Sequence, residues 1–194
     1  PAPRYNAAMA YDAVRGRTVL FGGSDDLTAA GLKNDTWEWD GSQWTQVCTD
    51  SACRMSLAKP SARMQHAMAY DSTLRRVVLF GGYASGGRRN DLYSWNGSMW
   101  SSLGSSGPAA RQKHALAYDI GRGVMVLFGG NSGGDLIDTW ELSGVNTWTQ
   151  RAGSSCAGGS CYVCVAGTNC PAALDGHTMA YDVARATVTL FGGH

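Results

Sequence analysis

The sequence predicts an all-β fold made of four-stranded antiparallel sheets, and a repeated motif is the first reason. Ala-Tyr-Asp is followed by Phe-Gly-Gly four times, and the Tyr and the Phe are ten residues apart in every copy. Self-similarity of this kind indicates a repeat architecture, in which each copy is one supersecondary unit. The four pairs are Tyr11 and Phe21, Tyr70 and Phe80, Tyr118 and Phe128, and Tyr181 and Phe191.

The first half of each copy is expected to be a β-hairpin. Small and apolar residues lead to an Asp at a turn, and a β-rich run such as 76–80 then ends at Gly-Gly. We expect the first Gly of each pair to supply a backbone conformation or a close approach that a Cβ would prevent. The Asp at the turn is expected to clamp the turn locally and not to act as an acid or base.

The second half of the first three copies predicts two further strands. Residues 35–39 alternate aromatic with polar side chains and meet Asp40-Gly41, a hairpin-turn signal, before a strand that contains Trp44. The same pattern recurs around Asn96-Gly97 and Ser143-Gly144. Each complete unit is therefore a four-stranded antiparallel meander, whereas the fourth copy has only its first two strands before His194.

One such sheet cannot bury both faces, so successive units must stack, and radial stacking of four-stranded sheets gives a β-propeller. The Phe-Gly-Gly motif, the aromatic strand and the Trp of the fourth strand closely resemble kelch repeats. The resemblance implies kelch-type blades at about 4–47, 63–103 and 111–151, and half a blade at about 174–194. Three blades and a half form only part of a ring. We therefore expect either a fragment or a subunit that completes its ring by self-association.

Six cysteines lie in two connections, at about 48–62 and 152–173, that are rich in glycine and serine. An even number in such loops favours disulfides and an oxidising compartment, so we expect a secreted or cell-surface protein. Cys48 and Cys53 are expected to pair, and the other four cysteines allow three pairings. A zinc site is the alternative, because two of them have CxxC spacing. The six are Cys48, Cys53, Cys156, Cys161, Cys164 and Cys170.

Composition excludes some partners. The net charge is +1, from 16 basic and 15 acidic side chains, so no overall field attracts nucleic acid or an anionic membrane. No apolar run has the length of a membrane span. The sequence begins at Pro1 without a Met or a signal-peptide core, and we expect a mature product or a fragment.

Variable loops are expected to form one rim of the propeller. The connections after the second and fourth strands of each blade lie on the same side, and they include 24–34, 83–90, 131–137 and both cysteine loops. Variable loops on a rigid scaffold are the usual place of a binding surface. The innermost strands, by resemblance to kelch propellers the first of each repeat, begin on this rim.

Two groups of residues on this rim are candidates for ligand binding. Three histidines near the central opening could bind a metal or a sugar hydroxyl, although we favour hydrogen bonds to backbone within each blade. The arginines nearby are expected to make bonds between blades. A basic and aromatic patch is consistent with an acidic or a sugar ligand. The candidates are Arg63, His66, Arg111, His114 and His177 near the opening, and Tyr83, Arg88 and Arg89 in the patch.

These observations favour a non-catalytic binding or assembly module that contacts protein or glycan through the rim, with no cofactor and no catalytic residue assigned. Two alternatives are a propeller enzyme, either a copper oxidase or glycan-active, and a structural filament subunit. Galactose oxidase has a kelch-type domain, but its copper ligands have no residue-by-residue match in this sequence. Its activity is therefore not transferred.

Overall fold

The computed structural model describes residues 1–48, 58–153 and 171–194, and their regular secondary structure is entirely β. Blade 1 contains β1 (Ala8–Asp12), β2 (Arg17–Phe21), β3 (Thr36–Trp39) and β4 (Trp44–Cys48). The strands pair antiparallel in chain order. This is the four-stranded meander that the sequence predicts.

Blade 2 has a longer central hairpin than the other blades. It contains β5 (Arg63–Met64), β6 (Ala67–Asp71), β7 (Arg76–Ala84), β8 (Gly87–Trp95) and β9 (Trp100–Gly104). Both β5 and β6 pair with β7, at different places along it. Residues 83–90 were expected to be a loop, but most of them continue the two strands. The pairing extends past Gly81-Gly82 because Ser85 and Gly86, with Gly86 at φ +88°, close a tight turn between Ala84 and Gly87.

Blade 3 repeats the meander of blade 1, and half-blade 4 repeats its first hairpin. Blade 3 contains β10 (Ala115–Asp119), β11 (Val124–Phe128), β12 (Thr139–Ser143) and β13 (Thr147–Ala152). Half-blade 4 contains β14 (Thr178–Asp182) and β15 (Thr187–Phe191). The all-β architecture of four-stranded antiparallel blades is thus confirmed. Within the described residues, no helix is long and apolar enough to cross a membrane.

The hydrophobic core lies between blades. Alternate residues of each strand point to opposite faces of a sheet, so every blade presents one apolar face to each neighbour. Val19 and Phe21 of blade 1 pack with Val77, Leu79 and Trp95 of blade 2. A second core joins blades 2 and 3 in the same way, and its central residues are Val78, Phe80, Leu92, Leu116, Met125, Leu127 and Leu142. Burial of each large side chain contributes roughly 2 kcal/mol to the free energy of unfolding, so the stacking of neighbouring blades stabilises the fold.

Candidate functional site

The two candidate arginines of the first strands are buried in ion pairs within their own blades. Arg63 Nη1 donates to the carbonyl oxygen of Gly81 at 2.9 Å, and the guanidinium forms a two-pronged pair with Asp91 at 2.5 and 2.8 Å. The side chains of Arg63 and Arg111 are 0% and 1% exposed. A bidentate pair fixes the plane of the guanidinium, so these groups hold the strands of one blade together. The corresponding partners of Arg111 are Gly129 and Asp138.

The main-chain groups of the same arginines form hydrogen bonds with the preceding blade. Gly23 N donates to Arg63 O at 2.9 Å, and Arg63 N donates to Lys33 O at 3.0 Å. Arg111 has the same two backbone bonds to blade 2, from Gly82 N and to Arg89 O. The sequence predicted bonds between blades for the arginine side chains. The structure makes those bonds with the main chain and keeps the side chain inside the blade.

The histidines join each blade to the one before it. His114 Nε2 lies 3.2 Å from Phe80 O, and its ring meets the Phe80 ring edge-on at 5.5 Å. His177 makes the same contacts with Phe128, at 3.1 and 5.4 Å, and the His66 ring lies 5.6 Å from Phe21. The sequence placed these bonds within each blade, whereas the structure places them between blades.

Burial sets the protonation state of these rings. Burial, together with the nearby Arg111 guanidinium, lowers the pKa of His114 to about 3. Burial also lowers the pKa of His66 and His177 below the ordinary value. The His114 ring is therefore neutral at pH 7, and Nε2 carries the proton that it donates to Phe80 O.

The Gly-Gly pair of blade 2 permits two close approaches, one by the next blade and one within the blade. Gly81 has φ +61°, and a Cβ there would lie 2.9 Å from Arg111 O and 3.0 Å from His114 Cε1. Gly82 has φ +95°, and a Cβ there would lie 2.7 Å from Cβ of His66 in its own blade. The first glycine thus admits the next blade, and the second admits the first strand of the same blade.

A hydrogen-bonded backbone arc surrounds the central opening. The residue before each His position has a left-handed conformation, with φ of 55°, 57° and 57° at Asn6, Gln65 and Lys113 and 69° at Gly176. Gln65 N donates to Asn6 O, Lys113 N to Gln65 O and Gly176 N to Lys113 O, at 2.8 to 2.9 Å. These four residues line a shallow opening of about 170 Å³. The sequence pattern did not predict the arc, although Gly176 before His177 was a signal for positive φ.

The arc presents polar side chains on the variable rim. Lys113 Nζ lies 3.1 Å from Asp175 Oδ2, and His194 Nε2 lies 3.2 Å from the other oxygen of that carboxylate. The amides of Asn6 and Gln65 line the same opening. Amide groups both donate and accept hydrogen bonds, so this surface suits a polar ligand.

The predicted basic patch lies on the extended hairpin of blade 2. Tyr83 and Arg88 face each other across β7 and β8. Arg88 Nη2 donates to Asn131 Oδ1 at 2.9 Å, and Arg89 Nη2 donates to Ser85 O at 2.6 Å. Both arginines are half-buried, and in residues 1–48, 58–153 and 171–194 no carboxylate forms an ion pair with either of them. The Arg88 charge therefore lies beside the Tyr83 ring on the variable rim, and the Arg89 charge lies on the opposite face of the same hairpin.

Comparison with known proteins agrees with this architecture. The family model described as the KLHDC2/KLHL20/DRC7 Kelch-repeats domain matches residues 1–161. The chain belongs to the Kelch-repeat domain family. No curated protein matches the chain. Among 130 matching chains of solved structures is one titled "Structure of YjhT", with a TM-score of 0.68 and 16% identity.

The likeness to YjhT shows the fold alone. The match covers 100% of this chain and 60% of that chain, so this kelch chain spans less than two thirds of its neighbour's length. Membership of the kelch family, which the family model shows over residues 1–161, accounts for the Phe-Gly-Gly motif, the aromatic strand and the fourth-strand Trp that resembled kelch repeats.

The three kelch histidines all line the central opening, but each ring is held by a separate contact. Each ring packs on the Phe of a different strand end, and the described part of the chain contains no group of three His, Cys, Asp or Glu side chains placed to hold a metal. The metal hypothesis therefore gains no support from the described residues, whereas contact of these rings with a sugar hydroxyl stays a prediction.

The predicted cysteine pairs fall almost wholly outside the described residues. Cys48 ends β4, is fully buried beside Phe21, and is not a free thiol. Cys53, Cys156, Cys161, Cys164 and Cys170 lie in 49–57 and 154–170, which the structure does not describe. The disulfide prediction and its zinc alternative stay open there.

Ion-pair networks occupy the opposite rim, at the first hairpin turn of each kelch blade. Asp12 accepts from Arg15 Nε at 2.7 Å, and Arg15 also pairs with Glu38 of the third strand. Burial raises the pKa of Asp12, but the hydrogen bonds from Arg15 outweigh it and lower the pKa overall. Glu38 accepts a further bond from Trp95 Nε1 of blade 2 at 2.9 Å. The turn clamp that the sequence predicted thus extends to the third strand, and through Glu38 to the next blade.

Proposed function

We propose that this kelch chain is a non-catalytic binding module of an extracytoplasmic protein, and that it contacts a protein or a glycan through the variable rim. The observation that supports this best is that some arginines of the rim have a carboxylate partner and others do not. The charges of Arg63 and Arg111 are balanced by partly buried carboxylates, whereas Arg88 and Arg89 have no ion pair within the described chain. Positive charges left uncompensated at a surface favour an anionic ligand.

Two neighbouring features fit the same ligand. The Tyr83 ring lies across the hairpin from Arg88, and a flat aromatic face can stack on a sugar or a peptide side chain. Asn131, which accepts the bond from Arg88, is also paired with Gln112, next to Lys113 of the central arc. The patch and the arc therefore form one continuous polar surface. Disulfides in the two cysteine loops would brace the same rim in an oxidising compartment.

The proposal is tested with a panel of uronic-acid oligosaccharides, neutral oligosaccharides and acidic peptides. We expect an anionic probe to bind, and we expect an Arg88→Ser and Arg89→Ser double variant to weaken that binding at least about tenfold, because both charges are removed. Arg185→Ser is the matched control, since Arg185 is an exposed arginine on the opposite rim. Equal binding by the double variant and the control, or no binding of any anionic probe, would refute the proposal.

A further inference from the structure

A cavity of about 250 Å³ lies on the variable rim where blade 3 meets blade 2. Trp140 of β12 forms one wall of it and also packs against the core that these two blades share. The volume is slightly below the roughly 300 Å³ at which pockets for drug-sized ligands begin, so the cavity fits one small ring. Its lining includes Asp135, Leu136, Ile137, Asp138, Trp140 and Gln150.

The aromatic wall is held in place by hydrogen bonds within blade 3. Trp140 Nε1 donates to Asp138 Oδ2 at 2.7 Å. Arg111 donates to both oxygens of the same carboxylate, at 2.6 and 2.7 Å. The indole is therefore ordered before a ligand arrives, which lowers the entropic cost of binding. An ordered aromatic ring suits a ligand with a flat apolar face.

The apolar wall is a departure from the other two complete blades. Leu136 and Ile137 are half-buried at the cavity, whereas blades 1 and 2 have a cation followed by Asn at this place. The backbone role of the position is unchanged, because Leu136 O accepts from Leu174 N as Arg89 O accepts from Arg111 N. The corresponding residues are Lys33 and Asn34 in blade 1 and Arg89 and Asn90 in blade 2.

Polar groups lie at the edge of the cavity. Gln150 of β13 is the cross-strand neighbour of Trp140. Asn131 Nδ2 donates to Asp135 Oδ1 at 2.9 Å, and within the described part of the chain the second oxygen of Asp135 accepts no bond. A carboxylate oxygen accepts hydrogen bonds and an amide both accepts and donates them, so this edge suits neighbouring hydroxyl groups.

The charges around the cavity favour an uncharged ligand. The Asp138 carboxylate is balanced by Arg111. A ligand carboxylate would meet the negative charge of Asp135, and like charges at short range are unfavourable. A ligand cation bound at Asp135 would lie near Arg88, since the guanidinium of Arg88 donates to Asn131, the partner of that carboxylate.

We infer that this cavity binds a single neutral pyranose, with an apolar face of the sugar on Trp140 and hydroxyl groups on Asp135 and Gln150. The inference rests on the proposed function, in that it places a glycan on the variable rim. It uses other residues than the anionic ligand does, and Asn131 lies between the two sites. An acidic glycan could therefore place a charged group at Arg88 and a neighbouring neutral sugar in the cavity.

The test measures binding of methyl glycosides of glucose, galactose, mannose and N-acetylglucosamine to the 194-residue chain by saturation-transfer NMR. We expect at least one of them to bind with a dissociation constant on the order of 1 mM, and Trp140→Leu to weaken it at least about tenfold. Trp37→Leu is the matched control, because Trp37 makes the same indole bond to Asp35 in blade 1, outside the cavity.

A second variant guards against loss of folding. Ile137→Asn gives blade 3 the residue that blades 1 and 2 have at this place, so circular dichroism should show an unchanged fold. It should still weaken sugar binding at least about threefold, because it removes part of the apolar wall. No binding of any neutral sugar, or binding that survives both Trp140→Leu and Ile137→Asn, would overturn the inference.

Two further measurements separate this site from the anionic one. The Arg88→Ser and Arg89→Ser double variant should keep its affinity for the neutral sugar, and Trp140→Leu should keep its affinity for an anionic probe. Loss of anionic binding alone would therefore count against the proposed function and not against the cavity. Binding of lysine methyl ester, but of no sugar, would assign the cavity to a basic peptide and contradict the inference.

Discussion

At the scale of single residues, departures from the repeat show what each position does. Leu174 occupies the Arg position of half-blade 4, where the described strands include no third strand and so no Asp partner. It still makes the backbone bonds of that position, from Gly130 N and to Leu136 O. The backbone role and the side-chain role of the arginine position are therefore separable.

The first glycine of each pair has a role that one substitution can measure. Gly81→Ala forces a Cβ against Arg111 O and His114 at a φ of +61°. We expect it to lower the free energy of unfolding by about 3 kcal/mol, because left-handed strain and a backbone clash add together. Urea denaturation followed by tryptophan fluorescence measures the change.

Gly192→Ala is the matched control for that prediction. Its φ of +76° imposes similar strain, but a Cβ there meets nothing within 4 Å. The expected loss is only about 1 kcal/mol. Equal losses for the two variants would show that Gly81 is needed for its conformation alone and not for the approach of blade 3.

At the scale of strands and turns, the sequence predicted what depends on local pattern. The alternation of residues 35–39 and the turn at Asp40-Gly41 predicted β3 and β4, and the structure has both. The extension of β7 and β8 was missed, because the Gly-Gly that ends a strand in blade 1 is followed in blade 2 by a second turn signal at Gly86-Gly87. The sequence also predicted histidine hydrogen bonds within each blade. It missed that these bonds reach the preceding blade, since that depends on the tertiary contact between blades.

Protonation of the histidines that join the blades should weaken the fold in acid. The folded pKa of His114 is about 3, below the ordinary value of 6.5. The unfolded chain therefore binds a proton first, and the stability that His114 contributes is complete above pH 6.5 and falls as the pH drops toward 3. We expect a loss of up to about 1.4 kcal/mol per pH unit from this residue.

Urea titrations at pH 7.5, 6, 5 and 4 check this dependence. In His114→Gln the amide replaces the donor to Phe80 O and does not titrate, so the decline below pH 6.5 should be shallower than in the wild type. His194→Gln is the control, because that imidazole is 81% exposed. The explanation fails if the wild type and His114→Gln lose stability in parallel.

At the scale of the whole molecule, a stack of blades is stabilised mainly by nearest neighbours, so position in the stack sets local stability. The strand order and the sheet class follow from the repeat, which is why the sequence alone predicted them. The central arc could not be predicted, because it depends on how adjacent blades approach one another. The patch of Arg88 and Arg89 was predicted from the sequence, but their lack of an ion pair within the described residues was not. Side chains from three blades and half-blade 4 meet at the arc.

Half-blade 4 should therefore open more readily than the blades that have a neighbour on each side. The residues of β10 are all buried, whereas β14 and β15 alternate between partly buried and exposed positions. At low micromolar concentration we expect amides of β15 to exchange with deuterium at least about tenfold faster than those of β7, which corresponds to 1.4 kcal/mol in opening free energy. Mass spectrometry of peptic fragments resolves these segments. A uniform exchange rate across β7, β10 and β15 would mean that all the blades open together as one cooperative unit. The nearest-neighbour description would then be wrong.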